Sequence, residues 1–282
     1  MIKEEFELIT APEVKRITVP GYSLCYREWG SGAPLICLPG WPVTSVMFAP
    51  LASLASKSVR IIALDYPGWG VCPLGQKKLE TLDDYASVVE LFVRELNLSS
   101  FSLLGYSYGG VVAQKVIAHS KIHPDKLALI STLYSNRFLK DPLFGTGVRL
   151  SNVLIKGRLF ESRIRTMVKN SYKLIYMTRS YREIMNTPVV DLLVDETMQG
   201  DMETLLYAGK ALVDNTLISK KDIGGPALVE YASNDIPFVI EDSKEISQSL
   251  GVEPLVLDGL DHSHIFVFPE RTADSLLSFL NS

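Results

Sequence analysis

Short apolar runs punctuate the chain, and their periodicity changes along it. Ile17 to Val19 and Leu24 to Tyr26 alternate apolar with polar and are joined by Pro20-Gly21, a pair that favours a tight turn, so an amino-terminal hairpin is predicted. Apolar runs then recur at Leu35 to Leu38, Arg60 to Leu64, Phe101 to Leu104, Leu127 to Ile130, Ala227 to Tyr231 and Leu255 to Leu257, mostly without polar alternation. A strand that is apolar on both faces needs cover on both sides, which helices supply to a parallel sheet. Helical spacing fills several gaps: Leu82, Tyr85, Val89, Phe92 and Leu96 follow at steps of three and four and form one apolar face. Thr81 with Asp84 three residues later supplies a hydroxyl and a carboxylate for the free N–H groups of a helix start. A last helix is predicted from Arg271 to Leu280, opening after Pro269. Strands alternating with helices predict a doubly wound, mostly parallel α/β sheet.

One segment, from about Leu133 to Thr216, breaks the alternation. Phe160, Ile164, Met167 or Val168, Tyr172 and Ile175 mark an apolar helical stripe there, with Arg163, Arg165, Lys169 and Lys173 facing elsewhere. This predicts an inserted helical lid at 133–216 on a core formed by 1–132 and 217–282. Between Tyr134 and Pro188 stand Arg137, Lys140, Arg149, Lys156, Arg158, Arg163, Arg165, Lys169, Lys173, Arg179 and Arg182 against Asp141, Glu161 and Glu183, a local excess of eight positive charges. Two readings stay open: a solvated outer helix face, or a cap that attracts anionic substrates. The chain has no internal repeat and no low-complexity tract.

Composition narrows the class. With 47% hydrophobic and 21% charged residues over 282 positions, the chain has ample apolar surface for one core plus an insert. A formal net charge of -4 argues against a nucleic-acid binder, which needs a basic footprint to displace counterions. Cys25, Cys37 and Cys72 are odd in number and lack CxxC spacing, so they are read as reduced and as buried or incidental. The start MIKEEFELIT lacks the basic and long apolar regions of a signal peptide, and no apolar stretch approaches the roughly 18 to 20 residues of a membrane span. A cytoplasmic protein is expected, with homo-oligomerisation left open.

Chemistry concentrates at Phe101 to Leu104, which leads into Gly105-Tyr106-Ser107-Tyr108-Gly109-Gly110, followed by a helical Val111 to Ala118. A G-x-S-x-G pentapeptide is common by chance, but here it has the strand, turn and helix that a nucleophile elbow requires. The glycines serve a turn so sharp that side chains beside the serine would meet neighbouring backbone, and the hydroxyl is left exposed beyond the sheet. A serine hydroxyl needs a base and the base needs an orienting acid. Of four histidines, His119 and His123 sit at the end of the helix after Ser107, where a cation suits the helix terminus, leaving His262 and His264. For the acid, Asp235 competes with Glu230, inside a strand run, and with Asp242, beyond Pro237.

The chain resembles the α/β-hydrolase family over almost its whole length except the lid. Leu38-Pro39-Gly40-Trp41-Pro42 looks like the family's His-Gly-x-Pro oxyanion loop, with Pro39 where histidine is common. Asp65-Tyr66-Pro67-Gly68-Trp69-Gly70 is similar to its D-x-x-G-x-G turn. Ser233-Asn234-Asp235-Ile236-Pro237 follows a strand as the family's acid loop does, and His262 stands seven residues before Pro269-Glu270, as its catalytic histidine often does. The resemblance implies a triad of Ser107, Asp235 and His262, with the backbone N–H groups of Trp41 and Tyr108 as oxyanion donors. Ser131-Thr132-Leu133-Tyr134 offers no acid at the family's main alternative acid position.

Dinucleotide, P-loop and zinc-protease motifs are absent, so no cofactor and no metal are expected. Trp41, Tyr106, Tyr108 and Trp69 would lie near the serine, and lining of an apolar pocket is preferred to packing. The implied activity is cleavage of a carboxylic ester, thioester or lactone of a small to medium acyl substrate, with an anionic substrate suggested by the basic lid. The alternatives are C–C bond hydrolysis, a biosynthetic lyase or acyltransferase on the same triad, or a ligand receptor that retains the fold.

Overall fold

The computed structural model describes residues 11–141, 145–146, 188–214 and 216–282. Its sheet has eight strands: β1 (Lys15–Val19), β2 (Tyr22–Trp29), β3 (Pro34–Leu38), β4 (Arg60–Asp65), β5 (Ser102–Tyr106), β6 (Lys126–Ile130), β7 (Ala227–Ala232) and β8 (Leu255–Leu257). The order is β1-β2-β4-β3-β5-β6-β7-β8, so the chain starts near one edge, crosses back once, and then runs to the other edge. The hairpin β1–β2 and the pair β2–β4 are antiparallel; every remaining pair is parallel. Gly21 occupies the hairpin turn at φ 84°, where a side chain would be strained.

Eight helices are described: α1 (Ala49–Ala55), α2 (Leu82–Glu95), α3 (Tyr108–His119), α4 (Pro188–Thr197), α5 (Met202–Ala211), α6 (Pro237–Leu250), α7 (His264–Val267) and α8 (Pro269–Asn281). The alternation of side chains along each strand sends them to two separate cores. Ile36, Leu38, Ile62, Leu64, Leu103 and Leu129 pack with α2, α3 and α6, while Leu35, Cys37, Ile61, Ala63, Leu104 and Ile130 pack with α1, α7 and α8. This is why the strand runs read as apolar throughout: both faces are covered. Each fully buried Leu or Ile contributes about 1.5–3 kcal/mol, so the central strands carry much of the stability.

Helix α2 starts at the anticipated box. Thr81 Oγ1 accepts from Asp84 N at 3.2 Å, and Asp84 Oδ2 accepts from Thr81 N at 3.0 Å. Cys25, Cys37 and Cys72 are buried free thiols. Among the described residues no helix is long and apolar enough to cross a membrane. Between β6 and β7 the described residues form short turns at Asn136–Lys140, Leu212–Asp214 and Lys220–Asp222 and the helices α4 and α5. The apolar stripe from Phe160 to Ile175 lies outside the described residues.

Candidate active site

Strand β5 ends at Tyr106 and α3 begins at Tyr108, which leaves Ser107 alone as the connection, at φ 51° and ψ -117°. Such backbone costs of order 1–3 kcal/mol for a non-glycine residue and persists only under external bracing. Ser107 N donates to Ile130 O at 2.9 Å, and Thr132 Oγ1 donates to Ser107 O at 2.8 Å, so the end of β6 grips the turn. The glycines have a steric cause. A Cβ at Gly109 would stand 2.0 Å from Leu38 O, one at Gly105 2.5 Å from Gly109 O, and one at Gly110 2.2 Å from Thr132 Oγ1.

The loop between β8 and α7 carries His262, and the loop between β7 and α6 carries Asp235. His262 Nε2 lies 3.1 Å from Ser107 Oγ, and its Nδ1 lies 2.7 Å from Asp235 Oδ1. The three residues thus form one hydrogen-bonded line drawn from three separate loops. Burial of Asp235 would raise its pKa, but the His262 charge, hydrogen bonds from His262 and Ser131, and the Ile236 N–H outweigh it and hold the carboxyl below its usual range. Tyr106 fixes the histidine loop: its hydroxyl donates to His262 O, and its ring lies 5.3 Å from the imidazole. His119 and His123 are exposed on the surface.

Behind Asp235 runs a second line that the sequence did not reveal. Ser131 Oγ lies 2.6 Å from Asp235 Oδ2 and 3.0 Å from His264 Nε2. His264 Nδ1 lies 2.9 Å from Thr272 Oγ1, which lies 2.8 Å from Glu230 Oε1, and Ser275 Oγ bonds Glu230 Oε2. His264 and Glu230 are both fully buried. Burial pushes the His264 pKa down to about 4 and that of Glu230 up to about 7. One signal could have found this line: a carboxylate inside an apolar run covered on both faces must have buried partners. Asp242, the other competing acid, instead accepts from the N–H groups of Tyr134 and Ser135 at 3.0 and 2.9 Å, where the insertion begins.

The loop after β3 meets the elbow at Gly40, where a Cβ would stand 3.3 Å from Ser107 Cβ. Among the described residues neither the Trp41 N–H nor the Tyr108 N–H has an acceptor. The loop is held from two sides. Ser45 N and Ser45 Oγ donate to Asp65 at 2.5 and 2.9 Å, and the buried Arg27 bonds Ser45 Oγ at 2.8 Å and pairs with Glu196 of α4. Burial raises the Asp65 pKa to about 6, against the pull of Arg27 and Ser45. On the other side, Trp41 Nε1 donates to Leu205 O of α5 at 2.6 Å.

The aromatic residues require a correction. Trp69, Tyr106 and Tyr108 do not line a pocket but are buried; Trp69 and Tyr108, with ring centroids 5.6 Å apart, pack with Tyr66 and Tyr85 beneath the elbow helix. Tyr106 packs in the core under α1, α7 and α8 and Tyr108 in the core under α2, α3 and α6, so the two neighbours of Ser107 in sequence enter opposite layers. Of the basic residues between Tyr134 and Pro188, Arg137 and Lys140 are described: Arg137 is engaged by Glu241, Asp242 and Glu245, and Lys140 is exposed. Those from Arg149 to Arg182 lie outside the described residues. Among the described residues no cluster of three or more His, Cys, Asp or Glu could hold a metal ion.

A mostly parallel sheet covered on both faces, with a serine alone between a central strand and the helix that follows, defines the class of α/β proteins built around such an elbow. The chain belongs to the alpha/beta hydrolase family, whose profile matches residues 35–275. It is similar to the AB hydrolase superfamily protein YisY of Bacillus subtilis, 24% identical over 266 residues, covering 92% of this chain and 96% of that one. It is also similar to the human serine hydrolase-like protein, 30% identical over 120 residues, covering 42% of this chain and 59% of the relative. In fold it resembles the esterase EaEST from Exiguobacterium antarcticum, with a TM-score of 0.77, 20% identity, and coverage of 96% of this chain and 100% of the other.

Proposed function

We propose that the protein is a serine hydrolase that cleaves a carboxylic ester of a small to medium acyl substrate through an acyl-enzyme intermediate. The observation that carries the reading is the line from Ser107 Oγ through His262 to Asp235, at 3.1 and 2.7 Å. In this reading His262 Nε2 takes the Ser107 proton as the oxygen attacks the acyl carbon, and Asp235 holds the tautomer and stabilises the imidazolium. His262 then returns the proton to the leaving alcohol, and water repeats the sequence to release the acid. The Trp41 and Tyr108 N–H groups receive the tetrahedral oxyanion; removal of one such donor typically costs about 3–4 kcal/mol of barrier lowering. Residues 133–216 form the lid over the acyl group. The names of EaEST, an esterase, and of the human serine hydrolase-like protein agree with this chemistry. The steps as written need no metal and no cofactor.

The test is labelling with an organophosphonate alongside turnover of para-nitrophenyl esters of graded chain length. A single label and saturating turnover are expected, both lost in Ser107→Ala. Labelling that persists in that variant, or turnover at background level despite tight ligand binding, overturns the proposal.

A further inference from the structure

Four hydrogen bonds connect Asp235 to Glu230 by way of Ser131, His264 and Thr272. Each bond needs one hydrogen. With both carboxylates ionised and His264 neutral, the groups between them carry three: one on each hydroxyl and one on the imidazole. One of the four bonds must then fail, inside a region where an unmade bond is expensive. We propose that this buried line holds one additional proton on Glu230, and that Glu230, Thr272, His264 and Ser131 are positioning residues that aim the Ser131 hydroxyl at Asp235. The proposal rests on the reading of Asp235 as the residue that orients the base.

With Glu230 protonated, every link has one donor and one acceptor. The Glu230 acid hydroxyl donates to Thr272 Oγ1, Thr272 donates to His264 Nδ1, His264 Nε2–H donates to Ser131 Oγ, and Ser131 donates to Asp235 Oδ2. Two other holders would also complete the count, and both are disfavoured. Asp235 would have to be neutral, although His262, Ser131 and the Ile236 N–H favour its anion. His264 would have to be a fully buried imidazolium, and burial pushes its pKa down to about 4, with His262 adding to the effect and Asp235 and Asp261 opposing it. Glu230 resists ionisation for the same reason of burial, against Ser275, Thr272 and Arg271 of α8. The Thr272 hydroxyl accepts from the neutral Glu230 acid and donates to its anion, so it can partner either form.

Loss of this proton reverses the line. Thr272 turns to the Glu230 carboxylate, His264 carries its hydrogen on Nδ1, and the bare Nε2 competes with Asp235 for the single hydrogen of Ser131. Asp235 loses a donor that favours its charge, which weakens its hold on His262.

The first measurement needs no turnover. In the full-length protein labelled with 15N-histidine, His264 should appear as the neutral Nε2–H tautomer at pH 6 and switch to Nδ1–H in a step near pH 7. Glu230→Gln, whose amide N–H donates to Thr272 at every pH, should keep the Nε2–H tautomer throughout. An imidazolium or an Nδ1–H tautomer at pH 6, or a Glu230→Gln variant that switches like the parent, overturns the proposal. This result stands even if Ser107 proves not to be the nucleophile. The second measurement is kcat against pH: an alkaline fall with the same midpoint is expected in the parent and should be absent in Glu230→Gln. Ser131→Ala should lower kcat by about tenfold with little change in KM, the usual effect of losing one hydrogen bond to a charged group. If the tautomer switches but kcat shows no matching fall, the line does not position Asp235.

Discussion

Thr44 Oγ1 donates a 2.7 Å hydrogen bond to Glu196 Oε2, tying the loop that follows Gly40 to a helix 152 positions further along the chain. Glu196 also pairs with Arg27, whose residual exposure is only 4%. A buried guanidinium left short of its partner is strongly destabilising, commonly by about 3–5 kcal/mol. Glu196→Ala is expected to cost about 3 kcal/mol in urea unfolding, because the Asp65 carboxylate at 3.7 Å keeps part of the compensation. Thr44→Val should cost less, about 1–2 kcal/mol. A Glu196→Ala protein as stable as the parent would show that the ion pair does not hold this loop.

His262 and His264 are two residues apart and are expected to fail differently. His262→Ala should lower kcat by on the order of 10⁴ or more with little change in melting temperature. His264→Ala removes a buried partner from Ser131 and Thr272 and opens a cavity, so a loss of roughly 2–4 kcal/mol in stability is expected. The check is kcat per folded molecule beside a melting curve. A stable, inactive His264→Ala with a working His262→Ala would reverse the assignment of the base.

Asp235→Asn should lower kcat by about 10⁴, since the amide favours the wrong imidazole tautomer. Its stability should also differ from the parent in a pH-dependent way. The folded pKa of Asp235 is depressed, so its carboxylate adds stability above the unfolded value near 3.9 and loses it as pH falls through the folded value. The gap in melting temperature between parent and Asp235→Asn should therefore be full at pH 6 and shrink below about pH 4. A gap that widens on acidification would contradict the depressed pKa.

The surplus of positive charge between Tyr134 and Pro188 makes a further expectation about substrate charge. If the lid steers anions, kcat/KM for a carboxylate-bearing ester should fall with added salt more than for a neutral ester of the same shape, because screening acts over roughly 10 Å at 0.1 M. Parallel salt dependence for the two esters would assign the lysines and arginines to a solvated face.

The sheet was legible because its signals are local. A strand buried on both faces must be apolar throughout, and the Thr81–Asp84 box and the glycines around Ser107 answer to backbone geometry within a few residues. Asp235 and His262 were singled out by the family resemblance, and the structure brings both into one hydrogen-bonded line with Ser107. The line through Ser131, His264, Thr272 and Glu230 could not be read from the sequence, because its members come from the residue after β6, the interior of β7 and two helices, α7 and α8, and their spacing is set by the sheet. The aromatic pair beside Ser107 misled for a related reason. Sequence adjacency suggests a shared pocket, whereas a one-residue turn sends neighbouring side chains into opposite layers.

The stitching of the loop beside Ser107 has a bearing on engineering. Trp41 is held by the Leu205 carbonyl, and Thr44 and Arg27 by the Glu196 carboxylate, so the loop beside Ser107 borrows its support from α4 and α5. A chimera that exchanges the insertion as a cassette, with crossover points placed at the ends of β6 and β7, would leave the recipient's loop without those acceptors. Grafts that retain α4 and α5 and vary only the stretch before Pro188 keep those acceptors, and with them the frame of the loop beside Ser107.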